Sequence, residues 1–432
     1  MARTDTSTRV TASTPRSFAE RGRGNLLLVT PVILAGLGAV YMWGHNPLSA
    51  TAVLDGAYFL AALFSVGRID RRVLGALLLL STFLVVRLAI VAFGGSAGFE
   101  DTLQAHKWIA YLIGLSFFVG KPLDSSAKLV RLVKVLILLV AAKYFIANLV
   151  YGERYGILVE NNFEIAMFCG LMGVVYSRLG PNRLAYLCVL GAAVLVSGSR
   201  SGSVVFLFLV IYALATSDVK NAFVRYVAFL TAAAAVIIPL LVFQSRTSSV
   251  DSIDRVNFLN VFLTEVQQWG VLTWMFGPGA MKPLSISSCE QLSYYVNLYS
   301  SPETGLCYSV ILHAFVLRVV FDFGLAGLII AFGVFWLLLR RGHVKLPLAL
   351  LLMGIAAANS LSVSGLNNVY VVIPAAAALM LAARDREQNV PSPTPTQVPA
   401  RGDLASARLH PATPANIGER LSELPIEKRR DK

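Results

Sequence analysis

Charge is the first thing this chain has little of. Only 14% of its 432 residues are Asp, Glu, Lys or Arg, and the acidic ones are fewer, 24 against 37 basic. Beside 56% hydrophobic residues and a mean hydropathy of +0.67, that scarcity excludes an ordinary water-soluble domain. Histidine and cysteine are scarce as well, at five and four residues. No His-x-x-x-His, Cys-x-x-Cys or Asp-x-Asp spacing occurs, so no metal site is expected. A glycine-rich phosphate loop is also missing, and no cofactor is expected. Any bond this chain makes must therefore use a substrate that arrives already activated.

What the chain has is apolar length. Stretches of roughly 15–22 residues recur, the length a helix needs to cross a bilayer. Spans are expected near 25–44, 50–67, 73–94, 104–120, 133–152, 163–179, 184–197, 203–217, 226–244, 321–339, 346–361 and 369–383. The expected fold is therefore all-α, a polytopic membrane protein with about twelve transmembrane helices, each satisfying its own backbone as lipid requires. The net charge of +13 falls in short clusters between spans, so topology explains it better than nucleic acid does. Alternate connections are basic: Arg68/Arg71/Arg72, Lys121/Lys128/Arg131/Lys134, Arg178/Arg183, Lys220/Arg225 and Arg340/Arg341/Lys345. The positive-inside rule then puts both termini in the cytoplasm. The Arg-rich start (Arg3, Arg9, Arg16, Arg21, Arg23) admits a rival reading as a signal peptide, cleaved near Ala50-Thr51-Ala52. Its length and Pro31 favour a retained span.

The chain divides into five regions: a cytoplasmic segment 1–24, spans one to nine over 25–244, a large outer loop 245–308, the last three spans with their lead-in over 309–383, and a tail 384–432. The loop mixes Asp251, Asp254, Arg255, Glu265, Trp269 and Trp274 with glycines, which suggests a cap with short helices. The tail carries "PSPTPTQVPA", a polyproline-type cytoplasmic segment, and its Arg401-Gly402-Asp403 is a chance triplet. Cys169 and Cys188 lie in spans as packing residues. Cys289 and Cys307 lie in the outer loop, either as free thiols or as a bridge contributing about 3 kcal/mol.

Candidate chemistry gathers on the outer side. Arg200 sits within Ser197-Gly-Ser-Arg-Ser-Gly202, between two spans. Its planar fork of donors suits phosphate or carboxylate oxygens, and the glycines let a ligand approach closely. The bland alternative is a tight hairpin whose arginine snorkels to headgroups. Arg87, Lys143 and Arg318 lie in or beside apolar runs, where a charge needs a polar interior and a partner. They suit an anionic ligand, or internal pairing such as Arg87 with Asp55. His313 opens the stretch "HAFVLRVVFDFGLAGLIIAFG", with Leu317, Val320 and Gly324 expected on its helix face. An imidazole there can serve as a general base or simply start the helix.

Together these features resemble the O-antigen polymerase and ligase superfamily of bacterial envelope proteins, over roughly residues 150–385. The resemblance rests on Ser197–Gly202 opening a span, on the long late outer loop, and on His313 leading into Phe323-Gly-Leu-Ala-Gly327. Ala314 stands where the family's His-Asn signature has Asn. The resemblance implies the metal-independent membrane glycosyltransferase fold, and an inverting transfer at the periplasmic face of the bacterial inner membrane. It implies an undecaprenyl-diphosphate-linked oligosaccharide as substrate, with the diphosphate as leaving group. Arg200 is then a diphosphate contact, Arg255 or Arg246 a second, and His313 the residue that orients or deprotonates the acceptor hydroxyl. A polymerase of a surface polysaccharide or xanthan-type exopolysaccharide is the expected activity, in company with a flippase and a chain-length regulator. A ligase acting on lipid A-core is the alternative. A lipid-linked oligosaccharide flippase or secondary transporter is the reading from another class.

Overall fold

A computed structural model describes residues 18–216, 230, 254–298 and 305–389, apart from Met42, His45, Arg68, Gly95, Ser96, Arg154 and Ala280. The expected ninth span lies outside the described residues except for Leu230, as do Arg246 and the tail beyond 389. Among the described residues there is no strand. Eight helices come first: α1 (Phe18–Val40), α2 (Ala50–Leu63), α3 (Leu74–Gly94), α4 (Phe99–Phe117), α5 (Ser126–Tyr151), α6 (Asn161–Val175), α7 (Arg183–Ser197) and α8 (Arg200–Thr216). Three short helices come next: α9 (Asp254–Val266), α10 (Val271–Phe276) and α11 (Ile286–Gln291). The last three are α12 (Phe315–Arg341), α13 (Leu346–Ser362) and α14 (Val369–Asn389).

Each expected span other than 226–244 coincides with a helix, but several helices start earlier than hydropathy suggests. α4 begins at 99 because Glu100 and Asp101 occupy its first turn, where carboxylates favour the N-terminal dipole. α5 begins at 126, where the Ser125 hydroxyl accepts from the Lys128 N–H at 3.2 Å.

Among the described residues, four segments are long and apolar enough to cross a membrane: Gly22–Val40, Arg71–Gly94, Gly180–Ser197 and Phe315–Arg341. That is fewer than the expected twelve. α2 has 14 residues, about 21 Å at 1.5 Å per residue, against a hydrocarbon core of about 30 Å. The polar turns of α4 and α5 dilute their hydropathy. The exposed side chains also point to lipid: α3 presents Leu78, Leu79, Val85 and Val86 at 48–66% exposure, a face that water would not tolerate. The chain is an all-helical membrane protein.

Contacts between α1 and α2, α2 and α4, α4 and α12, α12 and α13, α13 and α6, α6 and α5, and α5 and α1 close a ring. α14 fills it. Every residue from Val369 to Leu381 is buried, and a helix that is apolar all round belongs inside. Its alanine run keeps the helix slim, and Pro374 packs where Gly170 of α6 leaves no Cβ in the way. α3 lies outside the ring against α4, and α7 and α8 lie outside it against α5, α6 and α13.

The ring has two chemically distinct ends. At one, Arg23 donates to Pro122 O at 2.8 Å, Arg384 to Leu123 O at 2.9 Å, Arg178 pairs with Asp385, and Arg72 meets His343. This basic end gathers the described members of the cationic connections that the sequence alternates, whereas Lys220 and Arg225 lie outside the described residues. The other end is rich in asparagine and serine amides and hydroxyls, and it carries the candidate residues.

Candidate functional site

Arg200 stands where α7 hands over to α8. Gly198 ends α7 at φ 62°, the left-handed region that favours glycine. Ser199 then caps α8: its hydroxyl accepts from the Gly202 N–H at 3.0 Å. Arg200 is the first residue of the helix. A guanidinium and a helix N-terminus are both positive, so their juxtaposition is favourable only toward an anion. The position is braced from α6. Asn162 Oδ1 accepts from the Ser199 hydroxyl at 2.7 Å and from the Ser201 hydroxyl at 2.9 Å, one on each side of Arg200. Gly202 keeps this turn close to α6: a Cβ there would sit 2.7 Å from the tip of the Ile165 side chain and 2.8 Å from the capping Ser199 hydroxyl.

Asn162 belongs to a network of neutral amides. Asn359, at the end of α13, donates from Nδ2 to Asn162 O at 3.0 Å. Past it, the α13–α14 connector runs to Asn367, whose Nδ2 donates to Gln104 O at 2.9 Å. The segment leading into α6 is fixed by a fully buried carboxylate. Glu164 accepts from the N–H groups of Ile157, Leu158 and Val159 at 2.6–3.0 Å and from the Tyr144 hydroxyl.

His313 hangs on the same α13–α14 connector. The Phe315 N–H donates to Val363 O at 2.9 Å, so the start of α12 is tied to the residues just after Asn359. His313 is not on the α12 helix face expected for it. It lies before the helix in a turn at φ 49°, closed by Ala314 N–H donating to Leu312 O. Its ring packs against Phe258 at 5.6 Å and Tyr295 at 5.9 Å between centroids. Phe258 is one turn along α9 from Arg255, so α9 brings that arginine to the His313 side. The Cys289–Cys307 disulfide supports this arrangement, with Cα atoms 5.8 Å apart. Its cysteines share one apolar core with Phe258, Ile311 and Leu312.

The other expected cations are directed into the bundle. Lys143 is fully buried, donating to Gly44 O at 2.9 Å and to Tyr41 O. Arg87 does not pair with Asp55, which holds Lys107 and Tyr111 instead. Its guanidinium donates to Asp322 O at 2.7 Å and covers the Phe323 ring at 4.6 Å. Arg318 donates to Gln104 O at 3.2 Å, and the Asp322 carboxylate, which accepts from Ser309 at 2.5 Å, attracts both arginines. This cluster marks a break in α12. Gly324 takes φ 68°, and a Cβ on it would fall 2.4 Å from the Met275 backbone. A Cβ on Gly277 would likewise fall 2.7 Å from the Asp322 carbonyl oxygen. Two glycines thus let the end of α10 press backbone to backbone onto α12.

Charge and nucleophile patterns in the sequence single out Arg200, Arg255 and His313. They miss Asn162 and Asn359, which tie the Arg200 turn to the end of α13, and Asn367, which holds the Gln104 carbonyl. The available signal was the doublets Asn161-Asn162 and Asn367-Asn368 at the ends of apolar runs. Among the described residues no three of His, Cys, Asp or Glu converge as metal ligands. Comparison with known proteins finds no matching family model and no matching curated protein.

Proposed function

We propose that the chain is a membrane glycosyltransferase that polymerises undecaprenyl-diphosphate-linked repeat units at the periplasmic face of the bacterial inner membrane. The carrying observation is the braced Arg200 at a helix N-terminus, joined through Asn162, Asn359 and one connector to His313. In this reading the amide end faces the periplasm, the basic end and both termini face the cytoplasm, and about twelve spans cross. A flippase supplying the substrate and a chain-length regulator are the expected partners.

Arg200 and the α8 N-terminus bind diphosphate oxygens, with Arg255 approaching from the capping segment. His313 takes the proton from an acceptor hydroxyl as its oxygen attacks the anomeric carbon. The bond from that carbon to the diphosphate breaks on the opposite side, so configuration inverts. Charge grows on the departing diphosphate, and Arg200 stabilises it more as the reaction proceeds. Arg87, Arg318 and Lys143 keep the bundle in shape around the site rather than meeting substrate.

The test is polymer made in cells carrying only Arg200→Ala or Arg200→Lys. Losing one such donor costs on the order of 10²–10³ in rate. Lysine keeps the charge but loses the fork, so it recovers little. Single repeats should accumulate on the carrier while protein abundance holds. Polymer of normal length from Arg200→Ala would reduce the residue to a headgroup anchor. A ligase reading predicts instead that polymer is made but not attached to lipid A-core. The broken α12 beside Asp322 favours a second reading, a flippase or secondary transporter, because such proteins place sites at broken helices. That reading predicts unflipped single repeats on the cytoplasmic leaflet.

A further inference from the structure

A second cationic site lies at the basic end, at the opposite end of α7 from Arg200. A groove of about 470 Å³ opens beside the first turns of α5, lined by Ser126, Ala127, Val130, Arg131, Lys134 and Arg178. The spacing of 127, 130, 131 and 134 puts these residues on one face of the helix. Among the described residues no carboxylate lines the groove. Arg178 is held in place by both oxygens of Asp385 at 2.6 Å. Lys134 is steered by the face of Tyr186, 5.5 Å away. Arg131 is exposed and makes no hydrogen bond or ion pair among the described residues. The groove thus offers three cations against one carboxylate, beside a helix start whose first N–H groups lack helical partners.

Topology alone explains cations at this end, but not their convergence on a cavity. Nor does it explain the next turn of α5. There, one turn beyond Arg131 and Lys134, stand Val135 and Leu138, 40% and 51% exposed. A polar groove therefore continues into an apolar strip on the same helix, which matches the two-part chemistry of a phospholipid and not that of a free anion. We propose that this groove binds the phosphate headgroup of an anionic phospholipid, with the acyl chains lying along Val135 and Leu138. The bound lipid would join α5 to the α6–α7 connection and, through Asp385, to the end of α14.

The test uses the full chain in detergent, with native mass spectrometry to count retained lipids. Phosphatidylglycerol, phosphatidylcholine and inorganic phosphate are added separately to the wild type and to Arg131→Ala/Lys134→Ala. A second double variant, Arg341→Ala/Lys345→Ala, removes equal charge elsewhere at the basic end. Phosphatidylglycerol should be retained about tenfold better than phosphatidylcholine by the wild type, and that preference should vanish in the groove variant. The control variant should keep it, and inorganic phosphate at millimolar concentration should leave it unchanged. Equal retention of the two lipids, or equal loss in both variants, overturns the proposal. Displacement of the lipid by inorganic phosphate would make the groove a site for free anions and overturn its lipid assignment.

Discussion

At the scale of single residues, the bundle relies on neutral and fully buried groups more than on its visible charges. Asn162 holds the hydroxyls on both sides of Arg200, so Asn162→Ala should strand two donors and loosen the arginine. We expect polymer output to fall at least about tenfold, with membrane abundance little changed, since each lost acceptor costs about 1–3 kcal/mol. Normal output at normal abundance would show that the brace is dispensable. Glu164 organises three consecutive backbone N–H groups, and Glu164→Gln replaces one acceptor oxygen by a donor facing them. The unfolding midpoint in detergent should drop, for a loss on the order of 2 kcal/mol; an unchanged midpoint refutes that role. Arg200 and His313 were legible in the sequence because charge and imidazole stand out against apolar runs. Asn162 and Asn359 were not, because an amide that bonds a neighbouring element leaves no mark in its own segment.

At the scale of elements, hydropathy locates helices and misses their irregularities. Expected spans and observed helices agree to within two turns, and the larger offsets fall mostly at helix starts, in α1, α4, α5 and α12. The break in α12 is invisible, because Phe323-Gly-Leu-Ala-Gly327 reads as uninterrupted apolar helix and only the backbone at Gly324 departs from it. Gly324→Ala should therefore be severe. At φ 68°, ψ −173° an L-residue is strained by roughly 1–3 kcal/mol, and the added Cβ collides with the Met275 backbone. Limited proteolysis between 266 and 286 should quicken as α10 detaches; resistance equal to wild type would mean that the close approach is not needed. The disulfide belongs to the same scale. Cys289 and Cys307 should resist alkylation until reduced, whereas modification of both beforehand contradicts the bond.

At the scale of the whole molecule, the gathering of cations at one end is what the alternating connections foretell, because short basic loops cannot sit on both sides of a bundle with this connectivity. Which side that end faces is testable: tags in 121–134 should report cytoplasm and a tag in 281–300 the periplasm, and the reverse labelling rejects the proposed orientation. The enclosure of α14 was not legible, since an alanine-rich run looks no different at the centre of a ring than at its rim. Its position has a consequence for how the protein is made. α14 leaves the ribosome after the other described helices, so those helices enter the bilayer before it and must part to admit it. A chain terminated after Asn368 should thus be recognised as unfinished and cleared by membrane proteases, although every helix before α14 has been inserted. Pulse-chase labelling would register that as a half-life several-fold shorter than that of the full chain, and a stable truncated product would mean that the ring closes on its own. Synthesis order makes α14, the last of the described helices, the checkpoint through which they pass.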